Sequence, residues 1–206
     1  MIFNKILSSI FSSTSHIAVL RALQHHKIGI SGREIARLSG LSPKSALSAL
    51  SSLENIKIVY RAVGGRDHLF TLNRQNYLVK NGIISLLQIE NKFLPQLLAL
   101  IKQKLSKHCI SIILFGSVAR NEETIDSDMD ICFVLQNKKS QKNIIPIIRD
   151  LQTQIYTEFG TSLAPIYFTS EEFRKRAAKN LSPVNNIIKE GILVSGKPIR
   201  ILTHGS

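Results

Sequence analysis

The stretch LFGSVARNEETIDSDMDICFVL, residues 114–135, breaks an apolar run at Gly116-Ser117 and resumes as a second apolar run that carries Asp128 and Asp130. Side chains alternate along a strand, so these two carboxylates are expected to project from the same face. Two like charges at that separation raise each other's pKa unless a cation lies between them. The pattern therefore predicts a divalent metal site with oxygen ligands.

The apolar run CISIILF, residues 109–115, predicts a buried strand that ends at Gly116. Gly116-Ser117 would then begin a short helix, where free backbone amides and a hydroxyl can hold a phosphate. A phosphate-binding turn beside paired carboxylates is typical of a nucleotide site.

The same residues, GSVARNEETIDSDMDI, resemble the G-S-x-A-R-G-(x)-S-D-x-D signature of the minimal nucleotidyltransferases in the DNA polymerase beta superfamily. The resemblance extends from His108 to the end of the chain and includes a run at 187–196, I-x-x-E-G-I-x-V-x-G, similar to the family's C-terminal strand region. It implies that a nucleoside triphosphate binds with Mg²⁺ or Mn²⁺ and that its nucleoside monophosphate is transferred to a hydroxyl or a phosphate.

The resemblance also assigns roles residue by residue. It implies that the nucleotide is bound by Gly116, Ser117, Arg120 and Ser127. It implies that Asp128 and Asp130 bind the metal and are catalytic. One position departs mildly from the signature: Asn121 replaces the glycine after the arginine, and asparagine also tolerates a left-handed turn.

A third carboxylate, which the family places on a later strand, is not evident. The strand expected to carry it reads TSLAPIYFTS, residues 161–170, and contains no acid. Nearby acids belong to other predicted elements: Asp150 and Glu158 to the preceding helical pattern, and Glu171 and Glu172 to the start of the next helix. Without a general base or a complete two-metal site, the transfer rate should fall by orders of magnitude.

The amino-terminal part shows helical spacing in HIAVLRALQHH, from residue 16, and then two short helices with start signals. Ser31 and Glu34 have the spacing of a capping box, and Ser42-Pro43 supplies an N-cap and a first-turn proline. In the third helix Ala46, Leu47, Leu50 and Leu53 are expected to form the packing face. KIVYRAV and DHLFTL, residues 57–63 and 67–72, then alternate like two strands of a hairpin around Gly64-Gly65-Arg66.

This order of elements, over residues 15 to about 75, resembles the winged helix-turn-helix domains of bacterial and archaeal transcription regulators. In that family the third helix enters the major groove and the hairpin lies along the backbone. The resemblance therefore implies DNA-binding residues on the third helix and the wing, namely Lys44, Ser45, Ser48, Arg61 and Arg66. The alternative is that the serine-rich face is only solvated and that the domain mediates dimer contacts.

Charge favours a polyanionic partner, because 27 Lys and Arg against 14 Asp and Glu leave a formal charge of +13 and a pI of about 10.0. Residues 1–80 are the more basic part, with a balance of +8 against +5 for residues 81–206. Nucleic acid is therefore expected before an anionic membrane. No apolar window is long enough for a membrane span, the N-terminus is interpreted as a cytosolic lead-in, and Cys109 and Cys132 as buried thiols of a reducing cytoplasm.

The sequence thus predicts an α+β chain: a winged helix-turn-helix at 1–80, a helical connector at 81–107, and a polymerase-beta-like nucleotidyltransferase α/β domain at 108–206. Pro95 is expected to bend or divide the connector helix, and apolar residues along the connector favour a homodimer. Two functions stay open. The chain is an active nucleotidyltransferase that modifies a protein or small molecule, or an antitoxin-like, DNA-binding regulator whose transferase-like domain is a nucleotide sensor or an interaction surface. A toxin-like protein is a further expected partner.

Overall fold

The computed structural model describes residues 4–64 and 67–203, and within it the chain forms two compact units, residues 1–92 and 93–206. The boundary between the units lies inside one long helix. Each unit has its own hydrophobic core, and each is described by itself below.

The first unit packs helices against a small antiparallel sheet. Its elements are α1 (Ile6–Ile10), α2 (Thr14–Gln24), β1 (Ile30–Ser31), α3 (Gly32–Ser39), α4 (Pro43–Asn55), β2 (Val59–Gly64) and β3 (Asp67–Leu72). The strand order is β1-β3-β2, and β2 and β3 form a hairpin in which Gly64 lies opposite Asp67. The tip of the hairpin, residues 65 and 66, lies outside the described residues.

Serines begin the three main helices of this unit. The hydroxyls of Ser13, Ser31 and Ser42 accept hydrogen bonds from backbone amides of the first helical turn, which would otherwise lack a partner. The capping box predicted at Ser31 is only half formed, because the Glu34 carboxylate accepts hydrogen bonds from the Arg37 guanidinium instead of the Ser31 amide.

Helix α4 buries one face and exposes the other. Its buried residues are Ala46, Ala49, Leu50 and Leu53. The placement of Leu47 on the packing face was wrong, since its side chain is 51% exposed. Positions 46, 49, 50 and 53 follow the three- and four-residue spacing of one helix face, and position 47 lies about 100° away from position 46.

A π-helical turn, Val79–Ile83, leads directly into α5 (Ile84–Leu105). Of the two expectations for Pro95, a bend or a division of the helix, the division does not occur, because α5 continues through the proline. The proline removes one backbone hydrogen bond, but buried Leu97 and Ile101 pack the following turns into the core of the second unit.

The second unit is a mixed sheet with helices on both faces. Its remaining elements are β4 (Ser111–Phe115), α6 (Gly116–Arg120), β5 (Met129–Leu135), α7 (Lys138–Phe159), β6 (Leu163–Thr169), α8 (Ser170–Ala178), α9 (Val184–Glu190), β7 (Ile192–Gly196) and α10 (Ile199–Thr203). The strand order is β6-β5-β4-β7, with β5 and β6 parallel and the other pairs antiparallel. Pro165 is accommodated because β6 is an edge strand.

Alternation along β5 sorts its side chains between two cores. Ile131 and Phe133 pack with the second half of α5 and with α7, whereas Cys132 and Val134 pack with α8 and α9 through Phe173. Asp130 belongs to the second set by alternation and lies at the start of the strand. The sheet thus presents this carboxylate at one end, beside the turn between β4 and α6.

None of the helices within residues 4–64 and 67–203 combines the length and the apolar character that crossing a membrane requires.

Candidate nucleotide site

The turn from β4 to α6 places Gly116 directly against Asp130. Phe115 is the register partner of Asp130, and Gly116 follows with a φ of +77°. A Cβ built at Gly116 would overlap the Asp130 carboxylate and would lie 3.0 Å from its Cγ. Glycine is therefore required here twice, by the left-handed backbone and by the close approach of the carboxylate.

Asp128 is close enough to Asp130 for its charge to affect the ionisation of the Asp130 carboxyl. Burial raises the pKa of the Asp130 carboxyl, the negative charge of Asp128 raises it further, and the Arg120 cation lowers it. Asp128 is exposed and lies one residue before β5, so the strand carries only the second of the two acids. Neither carboxylate accepts a hydrogen bond within the part of the chain that the structure describes.

These two carboxylates fit a hard divalent cation. A bound cation would remove the repulsion that raises the pKa of Asp130, and Mg²⁺ is commonly bound by one or two carboxylates together with substrate phosphates. Among the described residues no cluster of three or more His, Cys, Asp or Glu side chains could hold a metal ion. Water and the oxygen atoms of a bound triphosphate would complete the coordination.

Arg120 joins the loop after α6 to helix α9. Its Nε donates to Glu122 Oε2 at 2.6 Å and its Nη1 donates to Glu190 Oε1 at 2.6 Å. Both contacts raise the pKa of Arg120, the Glu122 hydrogen bond most. Sequence reasoning did not predict that Glu190 would pair with Arg120. The signal was available, because Glu190 and Gly191 lie in the run that resembles the family's C-terminal strand region.

The loop between α6 and β5 is held by local contacts. The Ser127 Oγ accepts a hydrogen bond from the Thr124 amide at 2.9 Å. Asn121 ends α6 with a φ of +56°, which is the left-handed conformation expected for the residue that replaces glycine. Ser117 lies in the first turn of α6, and its carbonyl accepts from the Glu122 amide at 3.0 Å.

Strand β6, which pairs with β5, places an apolar residue beside Asp130. In the parallel pairing of β5 and β6, Ala164 is the partner of Asp130 and Ile166 is the partner of Cys132. Tyr167 points to the opposite face and stacks on Phe133 with ring centroids 5.9 Å apart. An acid that completed the site from β6 would therefore stand at Ala164.

Glu171 does not lie near the acids. Strand β6 runs parallel to β5, so it reaches Thr169 at the Leu135 end of the sheet, away from Asp130. The Glu171 carboxylate pairs with Lys175 at 2.6 Å in the first turn of α8. The topology therefore excludes Glu171 as a base that acts beside Asp130.

The residues expected to contact DNA are placed by α4 and the hairpin. Lys44, Ser45 and Ser48 are exposed along one side of α4. Arg61 on β2 is also exposed, and its Nε lies 3.1 Å from the Glu54 carboxylate. Arg66 lies outside the described residues.

Comparison with known proteins finds a domain match within the second unit. Residues 94–194 match the family model described as "Nucleotidyltransferase domain". The chain is similar to a Methanocaldococcus jannaschii protein named "Putative protein adenylyltransferase MJ1305", with 32% identity over 95 residues. That alignment covers 46% of this chain and 63% of the relative, so the chain spans less than two thirds of the relative's length.

A chain in a solved structure, "Crystal structure of the toxin-antitoxin with AMP-PNP", is similar at 14% identity with a TM-score of 0.34. The likeness covers 55% of this chain and 80% of that chain. On the family match, together with the turn and the paired acids described above, the second unit of this chain carries a nucleotidyltransferase domain.

Proposed function

We propose that the nucleotidyltransferase domain binds ATP with Mg²⁺ or Mn²⁺ beside Gly116 and transfers the adenylyl group to a protein. The observation that carries the proposal is the contact of the Asp130 carboxylate with Gly116, beside a second acid, Asp128, whose charge it senses. ATP as donor and protein as acceptor are supported by the name of the relative that is 32% identical.

Each residue of the site has a part in this proposal. Gly116 and Ser117 contact the triphosphate, and the two acids hold the ion. Arg120 and Ser127 keep the intervening loop in place through their hydrogen bonds with Glu122, Glu190 and Thr124. When bound, the divalent ion offsets the negative charge of the phosphates.

The reaction balances as the exchange of a phosphoanhydride bond of ATP for a phosphoester bond to the acceptor. An acceptor hydroxyl oxygen bonds to the α-phosphorus, the bond from that phosphorus to the bridging oxygen breaks, and pyrophosphate leaves. The hydroxyl proton must go to a base. The position on β6 beside Asp130, where a base could stand, is occupied by Ala164. The proton would therefore be taken by water or by a group of the acceptor.

A second candidate function follows from that apolar neighbour. With Ala164 beside Asp130 and Ile166 beside Cys132, the domain would bind nucleotide and metal without fast transfer. It would then act as a nucleotide sensor or interaction surface of an antitoxin-like regulator, with a toxin-like protein as partner.

The proposed role of the first unit is to bind double-stranded DNA as a winged helix, over residues 1–80, with residues 81–107 as a connector to the catalytic domain. It is supported by the order of three serine-capped helices and an antiparallel hairpin, and by the exposed side of α4 that carries Lys44, Ser45 and Ser48. The balance of +8 over residues 1–80 fits the same partner. A homodimer would present two such domains to two half-sites.

The decisive experiment incubates the full chain with Mg²⁺ and labelled ATP, CTP, GTP or UTP in turn, with and without cell extract. We expect label from ATP to enter protein. The double variant Asp128→Asn/Asp130→Asn should lose this labelling, while Asp126→Asn, an exposed acid of the same loop, should keep it.

Thermal unfolding separates the two candidate functions. Mg²⁺-ATP should raise the Tm of the parent and not that of the double variant, because only the folded parent binds it. Such a shift without labelling of any macromolecule would favour the sensor. Equal shifts in the parent and the double variant would place the site elsewhere.

A further inference from the structure

Charges in the second unit are segregated between the two ends of its sheet. The end near Gly116 carries six of the unit's acids: Glu122, Glu123, Asp126, Asp128, Asp130 and Glu190. The opposite end is formed by segments 102–110, 136–143 and 196–200, which together contain eight Lys and Arg residues and no Asp or Glu. The domain therefore presents a strongly basic surface away from the nucleotide site, here called the basic end.

Backbone hydrogen bonds tie the segments of the basic end together. The Ile110 amide donates to the Val134 carbonyl at 2.8 Å, and the Lys197 amide donates to the Ile110 carbonyl at 3.0 Å. The Ser111 hydroxyl, which is buried, donates to the Lys197 carbonyl at 2.8 Å. The three segments thus form a defined surface on the edge of the sheet.

A polar cavity of about 340 Å³ opens on this surface. It is lined by Lys107, His108, Cys109, Ile110, Gln136, Ser140 and Asn143. The polar lining includes an ammonium, an imidazole, two amides and a hydroxyl, all of which can donate hydrogen bonds to phosphate oxygens. The cavity is therefore suited to an anionic, oxygen-rich group.

Lys107 lines this cavity, and further lysines belong to the same segments as its other lining residues. Lys139 lies four residues before Asn143 on α7 and hence on the same side of the helix, and Lys142 directly precedes Asn143. Lys107, Lys139, Lys142 and Lys197 are exposed, and none forms a salt bridge within residues 4–64 and 67–203. Their mutual repulsion would be relieved by a bound polyanion.

The two acids at the start of α8, which lie at this end of the sheet, are already engaged. Glu171 pairs with Lys175, and Glu172 pairs with Lys138 at 2.6 Å and accepts a hydrogen bond from the Thr169 amide. They do not neutralise the four exposed lysines named above. The positive charge of those four lysines is thus open to an external partner.

The side chains of the basic end indicate which polyanion fits. Segments 102–110, 136–143 and 196–200, all described by the structure, expose no large apolar side chain of the kind that anchors a protein interface or enters a membrane. They contain no Phe, Tyr or Trp, so they lack the stacking platforms that hold unpaired bases. A polar, basic surface without either feature matches a phosphodiester backbone in a duplex.

We propose that the basic end binds the phosphate backbone of a double-stranded nucleic acid, with one phosphate seated in the cavity beside Lys107 and Asn143. The site lies at the end of the sheet opposite the nucleotide site, and the inference does not depend on transfer chemistry. RNA and DNA share the recognised group, so the experiment includes both.

The test measures fluorescence anisotropy of labelled duplex RNA, duplex DNA and the corresponding single strands with the full chain, without nucleotide or metal. All proteins carry Lys44→Ala and Arg66→Ala, which weakens the DNA contacts proposed for the first unit. In this background Lys139→Ala/Lys142→Ala is compared with Lys175→Ala/Lys179→Ala, a pair on α8 and at its C-cap that removes the same charge.

We expect a duplex to bind more tightly than its single strands. The Lys139/Lys142 pair should weaken duplex binding about tenfold or more and reduce the slope of log Kd against log salt by about two, one phosphate contact per lysine. The Lys175/Lys179 pair should change the slope far less. Comparing the Kd of duplex RNA with that of duplex DNA then identifies which of the two nucleic acids the basic end prefers.

Three results would overturn the proposal. The first is an equal loss from both lysine pairs, which would show an effect of net charge alone. The second is tighter binding of single strands than of duplexes. The third is equally tight binding of polyglutamate in competition, which would assign the basic end to an acidic protein.

Discussion

The two units of the chain are built alike, from capped helices on a small sheet. They differ in how specifically their residues indicate a function. In the second unit Gly116 and Asp130 are in contact and neither can be exchanged freely, because the glycine has no room for a Cβ. In the first unit, Leu50 and Leu53 fill a core and Ser42 caps a helix, and other residues of the same type would serve. A contact between particular residues indicates chemistry, whereas a pattern of elements indicates a scaffold that can carry several functions.

The largest effect is expected from a gain of function that would sharpen this comparison. Ala164→Asp adds a carboxylate on β6 beside Asp130 and should raise pyrophosphate release by about two orders of magnitude, the lower range of general-base assistance. Tyr167→Asp is the matched control, because position 167 faces the other core and stacks on Phe133. Release that rises equally in both variants, or in neither, would show that a base on β6 is not what limits transfer.

A loss of DNA binding in the first unit would break the comparison, by showing that particular residues matter there as well. Lys44→Ala/Arg66→Ala should reduce the slope of log Kd against log salt for duplex DNA by about two, since each contact with a phosphate releases a counterion. The control pair Lys27→Ala/Lys80→Ala removes the same charge from residues 1–80. Gel-shift titrations measure the slope, and identical slopes for both pairs would remove the winged-helix proposal.

The smallest effect concerns stability and compares two glycines of the second unit. Gly116 and Gly160 both have positive φ, +77° and +66°, but nothing lies within 4 Å of a Cβ built at Gly160. Gly160→Ala should therefore cost about 1–2 kcal/mol of unfolding free energy from backbone strain alone. Gly116→Ala should cost about 1–3 kcal/mol more, because the new methyl must displace the Asp130 carboxylate.

Urea denaturation of both variants measures this difference. If Gly116→Ala and Gly160→Ala were equally stable, the carboxylate would move away without cost, and the contact would not constrain the site.

Local signals in the sequence were sufficient for much of the fold. The strand before Gly116, the turn and the second apolar run were visible in hydrophobic runs and in glycine positions. The late strand that pairs with β4 was expected from the family resemblance. Ser31 and Ser42 likewise predicted the starts of two helices. These features depend on the backbone preferences of a few neighbouring residues, so they can be read along the chain.

Errors arose where side chains had a choice of partner. Glu34 could bond the Ser31 amide or the Arg37 guanidinium, and the charged partner was taken. The capping box that does form, at Thr169 and Glu172, was not predicted. Hydrogen-bond and ion-pair preferences of this kind differ by about 1 kcal/mol or less, so spacing alone does not decide between them.

The sequence by itself determined that a glycine-serine turn would follow one strand and that two closely spaced acids would lie at the start of the next, since their spacing and the alternation of a strand are local properties. Only the tertiary structure decided which residue of β6 stands beside Asp130, that Glu190 reaches Arg120, and that lysines from three separate segments form one basic end. A strand's own alternation leaves its register with a neighbour open, and that register is set by packing between residues far apart in the chain.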